Sequence, residues 1–206
     1  AKLVRETAEA HRAPRIAAML QLAQSEPGMS ATSAELDADP MLLGVANGVV
    51  DLRTGQLLSN RPDLLITRYC EADYVPGAPA PRWCQFLTEV FESDAKMIEA
   101  VQRLAGLTLT GVTHKELMIF AVGGGANGKS IFSNLITHIL GDYVVAAPST
   151  LLAARRPDDS GPRSDLAMLA GARLVSINEL PGGMMLDETV AKQLAGREPI
   201  TARFLH

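Results

Sequence analysis

The chain has 206 residues, of which 47% are hydrophobic and 20% are charged. A disordered chain would have fewer apolar residues and a higher net charge, so this composition predicts a folded protein with one or two cores. The longest apolar run has six residues, against the roughly 18 that a membrane-spanning helix needs, and no membrane segment is expected. A net charge of −4 argues against a protein that coats duplex DNA through bulk positive charge.

Cysteine usage and the N-terminal sequence favour a cytoplasmic protein. Cys70 and Cys84 are the two cysteines, which predicts neither a disulfide framework nor a zinc cluster. Residues 1–24 alternate charged and apolar side chains and lack the continuous apolar segment of a secretory signal. We therefore expect the protein in the reducing cytoplasm.

The first half of the chain predicts helices before and after a small sheet. Residues 1–24 predict an amphipathic helix whose first turn suits Pro14, and the turn-forming residues of 25–40 predict a surface connection. A three-stranded meander is predicted next, and its strands are residues 42–45, 49–52 and 56–58. Two helices follow, of which one starts at Pro81 and the other is capped by Asp94.

The second half alternates strand and helix patterns. The apolar run over residues 117–122 predicts a buried strand, and the sequence GGGANGKS at residues 123–130 follows it. Helical spacing then continues to Leu140, where Gly141 suits a C-terminal cap. The remaining predicted elements are a short helix at 166–170, a buried strand at 173–177, a helix at 186–194, a loop at 196–199 and an extended tail.

The sequence GGGANGKS matches the phosphate-binding loop pattern, in which glycines let backbone N–H groups face the phosphates. The N-terminus of the following helix adds partial positive charge. Lys129 can bridge the β and γ phosphates of ATP, and the Ser130 hydroxyl can ligate Mg²⁺. A glycine-rich turn without nucleotide is the alternative. The predicted nucleotide-binding residues are Gly123, Gly124, Gly125, Ala126, Asn127, Gly128, Lys129, Ser130 and Ile131.

Two polar residues end the second predicted strand. Glu179 is the candidate acid beside the Mg²⁺ and the attacking water, and its alternative is a solvated residue at a strand end. Asn178 either orients that water or a γ-phosphate oxygen, or forms a strand-end turn. The predicted catalytic residues are Lys129, Asn178 and Glu179, and the predicted metal ligands are Ser130 and Glu179.

Together these residues resemble superfamily III helicases, specifically the helicase module of phage and plasmid primase–helicases related to the poxvirus primase–helicase. The resemblance covers nearly the whole chain. Its motifs are NGVVDLRTGQLL at 47–58, PRWCQFLTEVF at 81–91, GGGANGKS at 123–130, LVSINEL at 174–180 and KQLAGREPITAR at 192–203.

The resemblance implies an α/β fold, with a P-loop NTPase core of the AAA+ type over residues 112–206 and a smaller domain of helices and a β-meander over residues 1–111. It implies an ATPase with ATP and Mg²⁺ as cofactors, which forms a hexameric ring around single-stranded DNA and moves along it. The resemblance leaves open whether a primase domain precedes residue 1. A phage, prophage or plasmid protein of this kind would act in the cytoplasm of a bacterial host.

The resemblance also implies that residues 192–203 face the DNA. Lys192 would contact phosphate, and Arg203 would support or contact the strand. Two alternatives stay open. Lys192 can be a solvated residue on a helix face, and Arg203 can pair with a neighbouring carboxylate.

Three departures from the family pattern affect these expectations. The loop has Gly196-Arg197-Glu198 where the family usually has a second glycine and an aspartate, and Asn178-Glu179 replaces the paired acids of many members. The sequence ends at His206, 27 residues after Glu179, before a sensor strand or an arginine finger of the family. We therefore expect an incomplete helicase core with weak or no turnover by itself.

Other functional classes compete with a DNA helicase. One is a P-loop ATPase that loads or packages DNA without separating its strands, and another is a module that binds nucleotide without turnover. A small-molecule kinase would need an acceptor pocket and a lid. The sequence offers no candidate for either, and the upstream resemblance disfavours a kinase.

Overall fold

The computed structural model describes residues 11–26, 28–113, 115, 117–155, 163–196 and 199–203. The chain divides into two compact units, Ala1–Ala38 and Asp39–His206. The described part of the first unit contains helix α1, Ala13–Ala23, with Pro14 in its first turn as predicted. None of its residues is buried, and its large apolar side chains are 43% to 68% exposed. None of the helices among the described residues is long and apolar enough to cross a membrane.

The second unit begins with the predicted three-stranded meander. Its strands are β1, Leu42–Val45, β2, Gly48–Asp51, and β3, Gln56–Leu58, paired antiparallel in the order β1-β2-β3. Leu43 pairs with Val50, and both are buried. The meander is predictable because each of its turns joins neighbouring segments of sequence.

Two helices follow the meander, also as predicted. Helix α2 is Pro81–Val90, and helix α3 is Ala95–Thr108. The carboxylate of Asp94 accepts hydrogen bonds from the backbone N–H groups of Lys96 at 3.0 Å and Met97 at 3.1 Å. This side chain therefore satisfies two donors that an α-helix leaves unpaired at its N-terminus.

The rest of the unit contains helix α4, Lys129–Leu140, strand β4, Val144–Ala146, helix α5, Ser164–Ala167, strand β5, Leu174–Ser176, and helix α6, Glu188–Ala195. Short 3₁₀ turns occur at Pro62–Leu64, Gly141–Tyr143 and Ser149–Leu152. Strands β4 and β5 pair parallel. The described elements therefore form a mixed α/β protein with two small sheets. Strand β4, with three residues, is too short for its sequence to signal it.

The predicted buried strand over residues 117–122 is wrong. These residues have no regular secondary structure, and Val122 is 88% exposed. An apolar run becomes a strand only where a neighbouring strand takes its backbone hydrogen bonds, whereas β4 and β5 pair with each other. Residues 117–120 instead line a cavity of about 400 Å³ together with Val175 and Ile177.

One hydrophobic core joins the meander to the end of helix α4. Leu140 and Tyr143 pack with buried residues of the meander. The Tyr143 hydroxyl accepts a hydrogen bond from Gly44 N at 2.9 Å and donates to the Arg68 carbonyl at 2.7 Å. The compact unit therefore continues across residue 111. The domain boundary that the sequence places between residues 111 and 112 stays a prediction.

A second core lies beside β5. Leu151 and Leu152 pack there with Leu166 of α5 and Val190 of α6. Close to it, Arg163 donates to both carboxylate oxygens of Asp165, and this ion pair holds the pKa of Asp165 below its ordinary value.

Candidate nucleotide-binding site

The glycine-rich loop leads directly into helix α4. Gly128 is the N-cap of the helix, with a φ of +82° that a residue with a side chain rarely adopts. A Cβ at this position would also lie 2.7 Å from Cγ2 of Val90 and 3.3 Å from Cε2 of Phe86. Glycine is therefore required here for two reasons, and helix α2 packs directly against the loop.

The N-terminus of α4 is suited to an anion. Its first turn contains no acidic side chain. The first backbone N–H groups of a helix have no partner within the helix, and the helix dipole adds partial positive charge there. Such an end binds phosphate without further requirements, so the loop and the helix together can accept the phosphates of a nucleotide.

Lys129 is turned into its own loop. Its Nζ donates to the carbonyl oxygens of Gly123 at 3.0 Å and Gly124 at 2.9 Å, and to Oδ1 of Asn127 at 2.6 Å. The ammonium therefore lies beside the glycines of the pattern, where a phosphate-binding lysine has to act.

Ser130 and Ile131 complete the predicted nucleotide-binding residues, and both are exposed in the first turn of α4. A serine hydroxyl and a carboxylate are the oxygen ligands that Mg²⁺ accepts, and the ion usually takes its remaining ligands from water and phosphate. No group of three or more His, Cys, Asp or Glu among the described residues could hold a metal ion. Ser130 therefore offers one hydroxyl ligand that fits a Mg²⁺ shared with the phosphates of a nucleotide.

Asn178 and Glu179 lie beyond the end of β5, and both are exposed. The strand ends at Ser176, one residue earlier than predicted. Glu179 has a φ of +56°, in the left-handed region that non-glycine residues avoid. Within the described part of the chain, no hydrogen bond or ion pair joins Glu179 to the loop. The structure thus brings residues 123–131 together at the start of α4, and the assignment of Asn178 and Glu179 to the same site stays a prediction.

The two predicted DNA-contacting residues, Lys192 and Arg203, are both exposed. Lys192 lies on α6, and its Nζ is 3.3 Å from Oε2 of Glu188, four residues earlier on the same helix. Both side chains of this pair are exposed on the helix face, and the DNA contact predicted for Lys192 stays a prediction. Arg203 is exposed at the end of the described residues. Arg197 and Glu198, the two residues at which the loop sequence departs from the family pattern, lie outside the described residues.

An aromatic stack beside the loop is a feature that the sequence did not reveal. The Trp83 ring lies 5.7 Å from the ring of Phe86 on α2 and 5.7 Å from the ring of Phe132 on α4. The helical spacing of Trp83 and Phe86 indicates a shared face. Nothing in the sequence indicates that this face packs on the helix that follows the phosphate loop.

Comparison with known proteins gives one family match and several viral relatives. Residues 1–92 match the family model described as D5 N terminal like, which ends before the glycine-rich loop. The chain is 27% identical over 177 residues to "Putative primase C962R" of African swine fever virus. It is 29% identical over 175 residues to "Putative helicase L207/L206" of Acanthamoeba polyphaga mimivirus, and 23% identical over 238 residues to "Putative helicase 022R" of Frog virus 3.

These alignments cover 83% of the chain but a small part of the relatives. The chain spans 18% of the length of the African swine fever virus and mimivirus proteins and 24% of the Frog virus 3 protein. The resemblance that the motifs predicted is confirmed at a coarser level than it was stated. The N-terminal segment is similar to the D5 N terminal like family, and the chain is distantly similar to viral proteins whose names are primase or helicase.

Proposed function

We propose that this chain is the nucleotide-binding part of an ATP-dependent DNA helicase of the primase–helicase type, in the superfamily III and AAA+ class. The observation that carries the proposal is the Lys129 ammonium, held within 3.0 Å of the Gly123 and Gly124 carbonyls at the start of a helix with no acid in its first turn. Such an arrangement concentrates positive charge where a triphosphate binds. The names of the viral relatives favour DNA as the macromolecule acted on.

In this proposal each loop residue has a defined task. Backbone N–H groups of residues 123–131 bind phosphate oxygens, and Lys129 bridges the β and γ phosphates. Ser130 and Glu179 would hold Mg²⁺, which when bound would neutralise charge that develops on the phosphates. Glu179 accepts a proton from the attacking water, and Asn178 orients that water. The left-handed backbone at Glu179 supports a role in catalysis, because strained residues concentrate at functional sites.

We further propose single-stranded DNA as the partner of Lys192 and Arg203. Both residues are exposed, and a chain with a net charge of −4 needs local cations to bind a phosphate backbone. The complete protein would form a hexameric ring. The proposal leaves open whether a primase domain precedes residue 1. It would act in the cytoplasm of the host of a phage, a prophage or a plasmid.

Titration calorimetry with Mg²⁺ and ATP tests the nucleotide site. Lys129→Ala removes the ammonium, and we expect ATP affinity to fall at least tenfold, because a charged hydrogen bond contributes about 1.5–3 kcal/mol. The matched control is Lys96→Ala, which removes one positive charge from an exposed position of α3. Equal ATP affinity in the two variants would reject the assignment.

A nucleotide-binding module without turnover is the second candidate. Such a module would bind ATP at the same loop but release no phosphate from it. A DNA-loading or DNA-packaging ATPase that does not separate strands shares the same nucleotide site. A strand-displacement assay on the longer protein distinguishes it from a helicase, because only a helicase releases the labelled strand.

A further inference from the structure

The Lys129 ammonium is enclosed by acceptors of its own loop. The carbonyl oxygens of Gly123 and Gly124 lie 3.0 and 2.9 Å from Nζ, and Oδ1 of Asn127 lies 2.6 Å from it. An ammonium has three N–H donors, and here three acceptors use them. A phosphate oxygen that binds Lys129 therefore has to replace at least one acceptor of the loop.

The side chain of Asn127 folds back over the first glycine of the loop. A Cβ at Gly123 would collide with Nδ2 of Asn127 and would lie 3.5 Å from Nζ of Lys129. A Cβ at Gly124 or Gly125 would meet no atom within 4 Å. Of the three consecutive glycines, Gly123 is thus the one that the Asn127 amide requires.

We propose that Asn127 is a positioning residue that competes with the phosphates of a nucleotide for the Lys129 ammonium and thereby lowers the nucleotide affinity of the loop. This inference rests on the proposed function, because it assumes that a nucleotide binds in the loop. Asn127 is the exchangeable acceptor, since its oxygen is on an exposed side chain that can rotate, whereas the other two acceptors are backbone carbonyls.

The order of acceptor strength determines the outcome of this competition. A phosphate oxygen carries negative charge and binds an ammonium more strongly than a neutral amide oxygen does. Phosphate therefore displaces Asn127, but part of the binding free energy is lost in breaking the existing hydrogen bond. Removing the amide removes that loss, so the variant binds nucleotide more tightly than the original chain. A residue that contacted the nucleotide directly would have the opposite effect.

A double-mutant cycle with the non-hydrolysable analogue AMP-PNP and Mg²⁺ tests the competition. We expect Asn127→Ala to tighten AMP-PNP binding about three- to tenfold, because the variant lacks the amide oxygen that competes with phosphate for the Lys129 ammonium. In a Lys129→Met background the same substitution should leave the affinity unchanged, because the amide acts through the ammonium. Weaker binding of Asn127→Ala, or an equal gain in both backgrounds, would overturn the inference.

A second measurement needs no nucleotide. Acylation of lysines by an N-hydroxysuccinimide ester, mapped by mass spectrometry, reports how available each ammonium is, and Lys96 and Lys192 serve as internal references. We expect Asn127→Ala to raise the Lys129 rate at least about threefold relative to these references, because the Asn127 amide lies over the Lys129 Nζ and limits the access of the ester to it. An unchanged Lys129 rate would overturn the inference even where AMP-PNP binds. If Asn127→Ala raised the Lys129 acylation rate but the chain bound no AMP-PNP, the proposed function would be overturned. The role of Asn127 in nucleotide binding would be overturned with it.

Discussion

At the scale of single residues, Gly128 has the strictest requirement in the candidate site. Its φ of +82° costs about 1–2 kcal/mol for a residue with a Cβ, and the added atom would press on Val90 and Phe86. We therefore expect Gly128→Ala to lower the free energy of unfolding by at least about 1 kcal/mol and to abolish ATP binding.

Urea unfolding and calorimetry measure the two effects. Gly182→Ala, outside the loop, is the matched control, because a Cβ there meets nothing within 4 Å and the backbone lies outside the left-handed region. If the two alanine variants had equal unfolding midpoints and equal ATP affinities, the close packing of α2 on the loop would not exist in solution.

The two cysteines differ in environment, which gives a second prediction at this scale. Burial raises the pKa of the Cys70 thiol to about 11, whereas Cys84 is exposed on α2. The thiolate is the reactive form, so Cys70 stays unreactive at pH 8. We expect Ellman's reagent to titrate one thiol per native chain and two in guanidinium chloride. Two rapidly reacting thiols in the native chain would contradict the buried position of Cys70.

The residues of the loop could be predicted from sequence, whereas the environment of Glu179 could not. Residues 123–131 are consecutive, so their pattern fixes which atoms come together. The position of Glu179 relative to Ser130 depends on how the end of β5 packs, and neither residue carries information about it. For the same reason Asn127 was predicted as a nucleotide contact without any indication that it binds Lys129.

At the scale of elements, helix α2 supports the phosphate loop. The aromatic stack of Trp83 with Phe86 and Phe132 joins α2 to α4, and ring pairs of this kind contribute about 0.5–1.5 kcal/mol each beyond the area that they bury. Residues 81–90 belong to the segment that matches the D5 N terminal like model. That segment therefore contributes one wall of the candidate nucleotide site.

Trp83 is the one tryptophan of the chain, so its fluorescence reports on this contact. If the loop binds ATP as proposed, we expect ATP with Mg²⁺ to change the emission of Trp83, because Phe132 lies in the first turn of the helix that follows the loop. Trp83→Ala should lower the free energy of unfolding by about 1–3 kcal/mol, the sum of two ring contacts. The neighbouring exposed Arg82→Ala is the control. If the emission spectrum did not respond to saturating ATP, the aromatic stack would not be part of the candidate nucleotide site.

The fold shows which element predictions a sequence can support. The meander and the cap at Asp94 were predicted because their hydrogen bonds join residues close together in the chain. The apolar run of residues 117–122 predicted burial and a strand, but pairing depends on a distant partner. Parallel partners such as β4 and β5 are separated by a long connection, and periodicity alone does not identify them.

At the scale of the whole molecule, two arginines, Arg163 and Arg173, are engaged in structural bonds. The Arg173 guanidinium stacks 4.2 Å above the Tyr143 ring and donates to the carbonyl oxygens of Leu42 and Leu109. Arg163 binds the Asp165 carboxylate and the Leu151 carbonyl. The bond from Arg173 to Leu42 joins the meander to the residue before β5, and neither guanidinium can reach a phosphate without breaking its own bonds.

This commitment predicts how the chain behaves as an enzyme. Phosphoryl transfer in P-loop proteins commonly depends on an arginine that stabilises the transition state, which contributes about 10³ to 10⁵ in rate. With Arg163 and Arg173 engaged in structural bonds, we expect residues 1–206 to bind ATP but to hydrolyse it at a rate near background. Phosphate release at saturating ATP, with and without single-stranded DNA, measures this. The Lys129→Ala chain gives the background rate, and DNA-stimulated release well above it would mean that an arginine assigned here to structure also serves the transition state.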